Sequence, residues 1–170
     1  MTRTFHRATA LSLCAAACFQ MAPAAAAEVV RHKLPGSDFP IALAVEVPAG
    51  KKVVYLSGAG PQVANKEAKP NTVEYFGDTK TQAASTLAAI EGTLKGLKLE
   101  MKDVVKMTVF VVGDPAKGGE IDFAGFMEAY RKYYGGAENP QLPARSTVKV
   151  AGLVNPGWLI EIEVIAVPSK

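Results

Sequence analysis

Apolar and polar residues alternate along two stretches near the end of the chain. In residues 145–150 one side of an extended chain carries Ser and Val and the other carries Arg, Thr and Lys, and in residues 160–166 apolar residues alternate with two glutamates. A period of two predicts strands with one buried face, and Asn155-Pro156-Gly157 is a turn signal between them. Pairing as a hairpin would place four charges on one polar face, where cross-strand ion pairs would explain them. These charges are Arg145, Lys149, Glu161 and Glu163.

Apolar runs earlier in the chain predict four more strands. Residues 104–112 are nearly all apolar and β-branched, which is typical of a central strand buried on both faces. Pro48-Ala49-Gly50 separates two other runs by a turn of hairpin length. The remaining three predicted strands are residues 28–34, 41–47 and 52–57.

Spacings of three and four residues predict two helices. In residues 79–97 Ala, Leu and Ile recur at these spacings and form one apolar stripe. Asp78 or Thr79 can cap this helix, and Gln82 is close to the position of a reciprocal capping residue. The second helix, residues 122–134, is rich in aromatic residues that either pack in the core or form a stacking platform. They are Phe123, Phe126, Tyr130, Tyr133 and Tyr134.

The predicted order is βββαβαββ, an α+β fold with a six-stranded, mostly antiparallel sheet. A chain of 170 residues suits one domain. Two helices can cover only one face of such a sheet. We therefore expect something else to cover the other face.

The first 27 residues have the pattern of a secretory signal peptide. A basic start with Arg3 and Arg7 precedes an apolar run over residues 8–21, and small residues follow up to Ala27. The pattern predicts cleavage after Ala27 and a periplasmic or secreted domain over residues 28–170. A membrane anchor is the alternative, but the run is shorter than the roughly 20 residues that a spanning helix needs.

Cysteine and charge restrict the chemistry of the domain after this leader. Both cysteines, Cys14 and Cys18, lie in the leader, so the mature domain has no thiol nucleophile and no disulfide. Either cysteine could carry a lipid, but neither has a leucine three positions earlier together with a small residue directly before it. Loss of Arg3 and Arg7 lowers the formal charge from +3 to +1, which gives no long-range attraction for nucleic acid. We expect no membrane association after cleavage.

Gly58 and Gly60 follow the third predicted strand. A phosphate-binding loop is one interpretation, but no Lys-Ser/Thr pair and no helix follow directly. The other interpretation is a close approach of the backbone to a ligand or a neighbouring chain, which glycine allows without steric cost.

Arg145 lies directly after Pro143-Ala144, where a loop meets a strand. Loops that a rigid sheet positions often carry binding groups, and a guanidinium can hold a carboxylate through two parallel hydrogen bonds. The ligand is then a small organic acid. The alternative is a structural ion pair with Glu163 or with a neighbouring strand.

Several motifs together resemble one known family. PARSTV at residues 143–148 and IEIEVIAV at residues 160–167 are similar to the C-terminal signature of the Rid/YjgF family of imine and enamine deaminases, formerly called L-PSP endoribonucleases. YLSG at residues 55–58, the helix opened by Gln82 and the strand VVKMTVFVV add to the likeness. The resemblance extends over about residues 34–167.

The resemblance implies a chorismate-mutase-like fold that closes into a trimeric barrel with ligand clefts between subunits. It implies that Arg145 binds the carboxylate of a 2-imino or 2-enamino acid and that Glu161 places the water that releases ammonia. Glu161 could equally be a partner of Lys149. It also implies that Ser57, the serine of the Ser-Gly pair, is a catalytic residue and that Gly58 binds the substrate through its backbone. No cofactor or metal is implied, and His32 is the only histidine after the leader.

Three positions depart from the pattern of deaminating members. The resemblance places Ile41, Met127 and Thr147 where those members carry a tyrosine, an asparagine and often a cysteine. All three are expected to line the substrate site, and the loss of two polar groups changes its wall.

Two functions remain open at this point. The first is a homotrimer that binds small carboxylic acids and hydrolyses imines or enamines; the second is a non-catalytic ligand-binding or stress-protective protein on the same scaffold. A ribonuclease is disfavoured, because metal-free RNA cleavage needs a positioned general base and acid and cationic cover for the phosphate.

Overall fold

Six strands form one sheet in the computed structural model of the chain, which describes residues 28–169. Two helices, α2 (Thr79–Gly96) and α3 (Phe123–Tyr130), pack against it, and a short helix α1 (Val73–Phe76) precedes α2. The predicted leader lies outside the described residues. The strands are β1 (Val30–Lys33), β2 (Ala42–Glu46), β3 (Val54–Ala59), β4 (Val104–Val112), β5 (Ala144–Val150) and β6 (Ile160–Ala166), in the spatial order β1-β2-β5-β4-β6-β3.

β4 occupies the middle of the sheet, as its apolar sequence predicts. It pairs in parallel with β5 and antiparallel with β6. The predicted hairpin of β5 and β6 is therefore wrong, because the most apolar strand lies between them. β2 and β3 are not a hairpin either: β2 pairs with β1 and β5, whereas β3 pairs with β6 on the far side.

Within residues 28–169, only one face of the sheet is covered. Met107, Val109 and Val111 of β4 are fully buried against the helices. The alternate residues of β4, such as Thr108 and Phe110, are only half-buried because no helix covers the opposite face. The expectation that β4 is buried on both faces is thus wrong for the described chain.

Helix α2 begins as predicted at its cap. The Asp78 carboxylate accepts the N–H of Thr81 at 2.8 Å. Gln82 is not a reciprocal cap. Its amide instead donates to the carbonyls of Gly77 and Gly157, and its oxygen accepts the N–H of Leu159, so a buried side chain joins the start of α2 to the loop before β6.

Helix α3 is shorter than predicted and ends at Tyr130. Tyr134 is still fully buried in the turn that follows, where its hydroxyl donates to the carbonyl of Met101 at 3.3 Å. Within residues 28–169 no helix is long and apolar enough to cross a membrane. The α+β fold, with two long helices on one face of six strands, is confirmed, and α1 is an addition to it.

Candidate carboxylate-binding site

Arg145 points to the helix-covered face of the sheet. It is the second residue of β5 and pairs with Met107, whose side chain lies in the core, so both side chains leave the sheet on that side. Its Nη1 donates to Met127 Sδ at 3.3 Å. No acid among residues 28–169 forms an ion pair with this guanidinium.

Four aromatic rings surround the Arg145 guanidinium. Its central carbon lies 4.3 Å from the ring centre of Tyr130, 5.0 Å from Phe126, 5.4 Å from Phe39 and 5.9 Å from Phe123. These distances are typical of cation–π contacts. Burial lowers the pKa of Arg145, and the neighbouring Tyr130 partly offsets that effect. The cation is thus held by aromatic faces and a thioether rather than by acids.

The Tyr130 hydroxyl is already used by the protein. It donates to the carbonyl of Pro40 at 2.8 Å, which joins α3 to the segment that carries Phe39. Burial raises the pKa of Tyr130 to about 12, although Arg145 acts in the opposite direction. The hydroxyl therefore stays neutral at physiological pH and works as a structural donor.

Glu161 lies on the opposite, open face. It pairs with Phe110 across β6 and β4, and both side chains are only half-buried. The Glu161 carboxylate lies directly over Gly58, so closely that a Cβ there would overlap it. The β3–β6 register shifts between Leu56 and Ala59, and the resulting bulge at Ser57 and Gly58 is the kind of irregularity that redirects a strand near functional groups.

Gly60 continues this close approach. A Cβ at Gly60 would overlap the ring of Trp158. The two glycines therefore do allow close approach, but to Glu161 and Trp158 of the same chain. Neither a ligand nor a neighbouring chain is needed to explain them.

The expectation of one shared polar face is wrong. Arg145 and Lys149 are on the helix side of β5, whereas Glu161 and Glu163 are on the open side of β6. Each strand alternates as predicted, but β4 between them sets their relative orientation. Lys149 pairs with Glu120 instead, Nζ to Oε2 at 3.4 Å.

The other expected site residues divide between the two faces. Thr147 shares the side of Arg145, and its buried hydroxyl has no hydrogen-bond partner among the described residues. Met127 contacts the guanidinium directly. In the segment of Ile41, the side chain that contacts the guanidinium is the ring of Phe39. The Ile41 N–H donates to the Phe39 carbonyl at 2.8 Å.

Sequence reasoning missed the aromatic surroundings of Arg145. The spacing of Phe123, Phe126 and Tyr130 places the three rings on one side of α3. This spacing indicates a shared surface, but by itself it favours packing in the core over a site at Arg145. Two of them, Phe126 and Tyr130, are fully buried. Nothing in the local sequence brings Phe39 to the same place.

The outer edge of β5 is open beyond its first residue. β2 pairs with β5 at Ala42 and Ala144 only, and no other strand of residues 28–169 lies on that side. An unpaired edge presents backbone N–H and C=O groups that another chain can bind.

A groove of about 600 Å³ lies elsewhere, between the end of α2 and the segment after α3. It includes neither Arg145 nor Glu161. Its Lys95 and Lys102 are paired with Glu91 and Glu100. Within residues 28–169 no group of three or more His, Cys, Asp or Glu residues could hold a metal ion.

These features define a single α+β domain with a desolvated arginine at the start of the inner strand β5. The family profile described as Endoribonuclease L-PSP matches residues 40–168. The chain belongs to this family, and the predicted Rid/YjgF resemblance is confirmed.

Relatives and solved structures agree with this assignment. The chain is 31% identical over 138 residues to TdcF of Escherichia coli K12, which is named as a candidate reactive intermediate deaminase. The aligned residues cover 81% of this chain and 94% of TdcF. It is 35% identical over 100 residues to a RutC family protein of Pasteurella multocida, covering 59% of this chain and 72% of the relative.

Among solved structures, E. coli TdcF with bound serine matches with a TM-score of 0.52 and 30% identity over 84% of this chain and 99% of TdcF. The Rid family protein YyfB of Yersinia pestis matches with a TM-score of 0.62 and 23% identity over 84% of this chain and all of YyfB. The second likeness supports the fold alone.

Proposed function

We propose that this protein binds small carboxylic acids at Arg145 and hydrolyses 2-imino or 2-enamino acids to 2-oxo acids and ammonia. The observation that carries the proposal is the half-buried Arg145 guanidinium, which has no acidic partner among residues 28–169. Five N–H donors on a desolvated cation favour an anion with matching acceptors. The solved complex of TdcF with serine, a molecule that carries a carboxylate, is in line with this ligand class.

The reaction needs water and a group that activates it. Water adds to the C=N carbon of the imino acid, the tetrahedral intermediate loses ammonia, and a C=O bond replaces C=N. In this proposal an enamine first tautomerises to its imine; Glu161 then orients the water, accepts its proton and returns it to the nitrogen that leaves as ammonia. Ser57 and the backbone N–H of Gly58 contact the substrate beside Glu161. General-base assistance of this kind contributes about 10²- to 10⁴-fold in rate.

The proposed site requires a second copy of the chain. Within one chain the sheet separates Arg145 from Glu161, because they point to opposite faces. The free outer edge of β5 and the uncovered face of the sheet are surfaces where a neighbouring subunit can pack. We propose a homotrimer whose clefts combine Arg145 of one subunit with Glu161 of another. Size-exclusion chromatography with light scattering tests this, and a stable monomer would contradict it.

Ammonia release from freshly generated 2-iminopropionate tests the catalytic proposal. We expect the native protein to accelerate release, and Arg145→Ala to lose about 10- to 100-fold of that acceleration through the lost charge-assisted hydrogen bonds. Arg131→Ala, an exposed arginine outside the site, is the matched control and should retain native activity. Equal release with and without native protein would reject the deaminase.

A non-catalytic binding protein is the second candidate. The observation that favours it is the apolar wall at the guanidinium, where Met127 Sδ lies at 3.3 Å and the ring centre of Phe39 lies at 5.4 Å. This candidate predicts that carboxylates raise the melting temperature through Arg145 while 2-iminopropionate is not turned over.

Export is also part of the proposal. The supporting observation is the basic start, apolar run and small residues of the first 27 positions. Mass spectrometry of protein from the periplasm or medium of an expressing bacterium should find Glu28 as the first residue. Full-length protein retained in the cytoplasm would contradict export.

A further inference from the structure

We propose that the acid bound by Arg145 carries an apolar, aromatic or branched substituent, and that Phe39 and Phe123 select it. This inference rests on the proposed role of Arg145 as the carboxylate-binding residue. It adds the chemical class of the ligand, which neither the family nor its relatives specify for this chain.

The Arg145 guanidinium has aromatic rings around it and N–H groups at its edges. Ring contacts at 4.3–5.9 Å occupy the space around its central carbon. A carboxylate does not compete with aromatic faces, because it takes two N–H groups in the guanidinium plane. Among residues 28–169, the weak thioether of Met127 accepts from one of these donors. The surroundings are thus compatible with a bound acid and at the same time apolar.

Part of the aromatic surroundings of Arg145 reaches the surface. Phe126 and Tyr130 are fully buried, whereas Phe123 is 37% exposed and Phe39 is half-buried. Phe39 and Phe123 stack on each other, with ring centres 6.4 Å apart and an angle of 18° between planes. The exposed part of the four-ring surroundings of Arg145 is therefore the pair of phenyl rings of Phe39 and Phe123.

The polar groups near this region that could bind a hydroxyl or amino substituent are engaged within the protein or buried. The acids that flank this region in the chain already have partners: Asp122 accepts from Gly125 and pairs with Lys117, and Glu120 pairs with Lys149. The Tyr130 hydroxyl donates to Pro40. The Thr147 hydroxyl on the same face has no partner among residues 28–169, but its oxygen is buried and is not exposed to a group at the surface. A polar substituent would lose water there without gaining a partner from these groups.

The consequence is a preference that can be measured. An apolar substituent against the two phenyl rings gains free energy from the surface it removes from water. For a phenyl group compared with hydrogen we expect affinity to increase about 10-fold or more. A hydroxyl at the same carbon should bring no gain.

Isothermal titration with three unreactive acids tests the inference: propionate, 3-phenylpropionate and 3-hydroxypropionate. The native protein should bind 3-phenylpropionate about 10-fold more tightly than the other two. Phe123→Ser and Phe39→Ser should each reduce that ratio several-fold, because the phenyl group of the ligand loses an apolar contact. Leu97→Ser, at an exposed leucine at the end of α2, is the matched control and should keep the native ratio. Circular dichroism checks that each variant is folded.

The outcomes separate the inference from the function on which it rests. If the three acids bind with equal affinity and Arg145→Met abolishes binding of all three, the preference is overturned and the carboxylate site stands. A phenyl preference that persists in both Phe variants also overturns the selecting role. If Arg145→Met leaves all three affinities unchanged, the proposed function fails and the inference fails with it.

Discussion

Arg31 and Arg145 are both partly buried, yet the protein treats the two cations differently. The Arg31 guanidinium donates to three backbone carbonyls, from Nη1 to Val104 at 3.0 Å and Leu142 at 2.7 Å, and from Nη2 to Lys102 at 2.8 Å. It fastens β1 to the start of β4 and to the segment before β5. Its hydrogen bonds serve the fold.

Arg145 has aromatic rings and one thioether in place of those carbonyls. Burial lowers the pKa of both arginines, so burial and pKa do not distinguish the structural arginine from the candidate binding residue. The number of strong hydrogen-bond acceptors around each guanidinium does distinguish them. A desolvated cation with few acceptors is costly unless a ligand supplies them, and this separates the two sites.

The largest effect that this comparison predicts is on stability. Arg31→Met should lower the free energy of unfolding by about 3 kcal/mol, because it removes three hydrogen bonds from a charged donor and leaves partly buried carbonyls without partners. Arg145→Met should change the free energy of unfolding by about 1 kcal/mol or less, because the unbranched apolar side chain of methionine can pack against the four aromatic rings. Urea unfolding of both variants measures the difference. Equal losses would identify Arg145 as a second structural clamp.

A smaller loss of stability is expected at an exposed carboxylate that accepts a hydrogen bond from a backbone N–H. Asp78 caps α2, and Asp78→Ala should cost about 1 kcal/mol at neutral pH. Hydrogen bonds from the Thr81 side chain and backbone lower the pKa of Asp78. Its contribution is therefore complete above the ordinary Asp value of about 3.9 and is lost as the pH falls through the lower, folded-state pKa.

Urea unfolding of native protein and Asp78→Ala at neutral and strongly acidic pH checks the cap. The difference between them should shrink at acidic pH. Glu67→Ala, in an exposed loop, is the control and should stay within about 0.5 kcal/mol of native protein. A difference that is constant with pH would show that the carboxylate charge does not contribute.

Local patterns in the sequence predict all six strands and the two main helices, but not the short helix α1, the end of α3 or the pairing of the strands. The start of α2 and the position of β4 were predicted because cap, stripe and apolar run are local signals. The strand order was not, because pairing β2 to β5 and β3 to β6 depends on contacts between distant segments. The short connection predicts a hairpin between β5 and β6, and the position of β4 between them excludes it.

The candidate site was predicted as a set of residues but not as an arrangement. Motifs identified Arg145 and Glu161, and alternation gave the correct side of each strand. Their relative sides follow from the register of both strands against β4, which no local signal reports. Phe39 reaches Arg145 from another part of the chain, so the apolar character of the site became apparent only in three dimensions.

The most direct test of the central claim is a crystal structure of the protein with benzoate. The account predicts that both carboxylate oxygens lie within hydrogen-bond distance of the Arg145 guanidinium, with the phenyl ring against Phe39 or Phe123. It would be contradicted by benzoate bound only elsewhere, such as in the groove beside Arg131, while the Arg145 guanidinium keeps only its aromatic and thioether contacts.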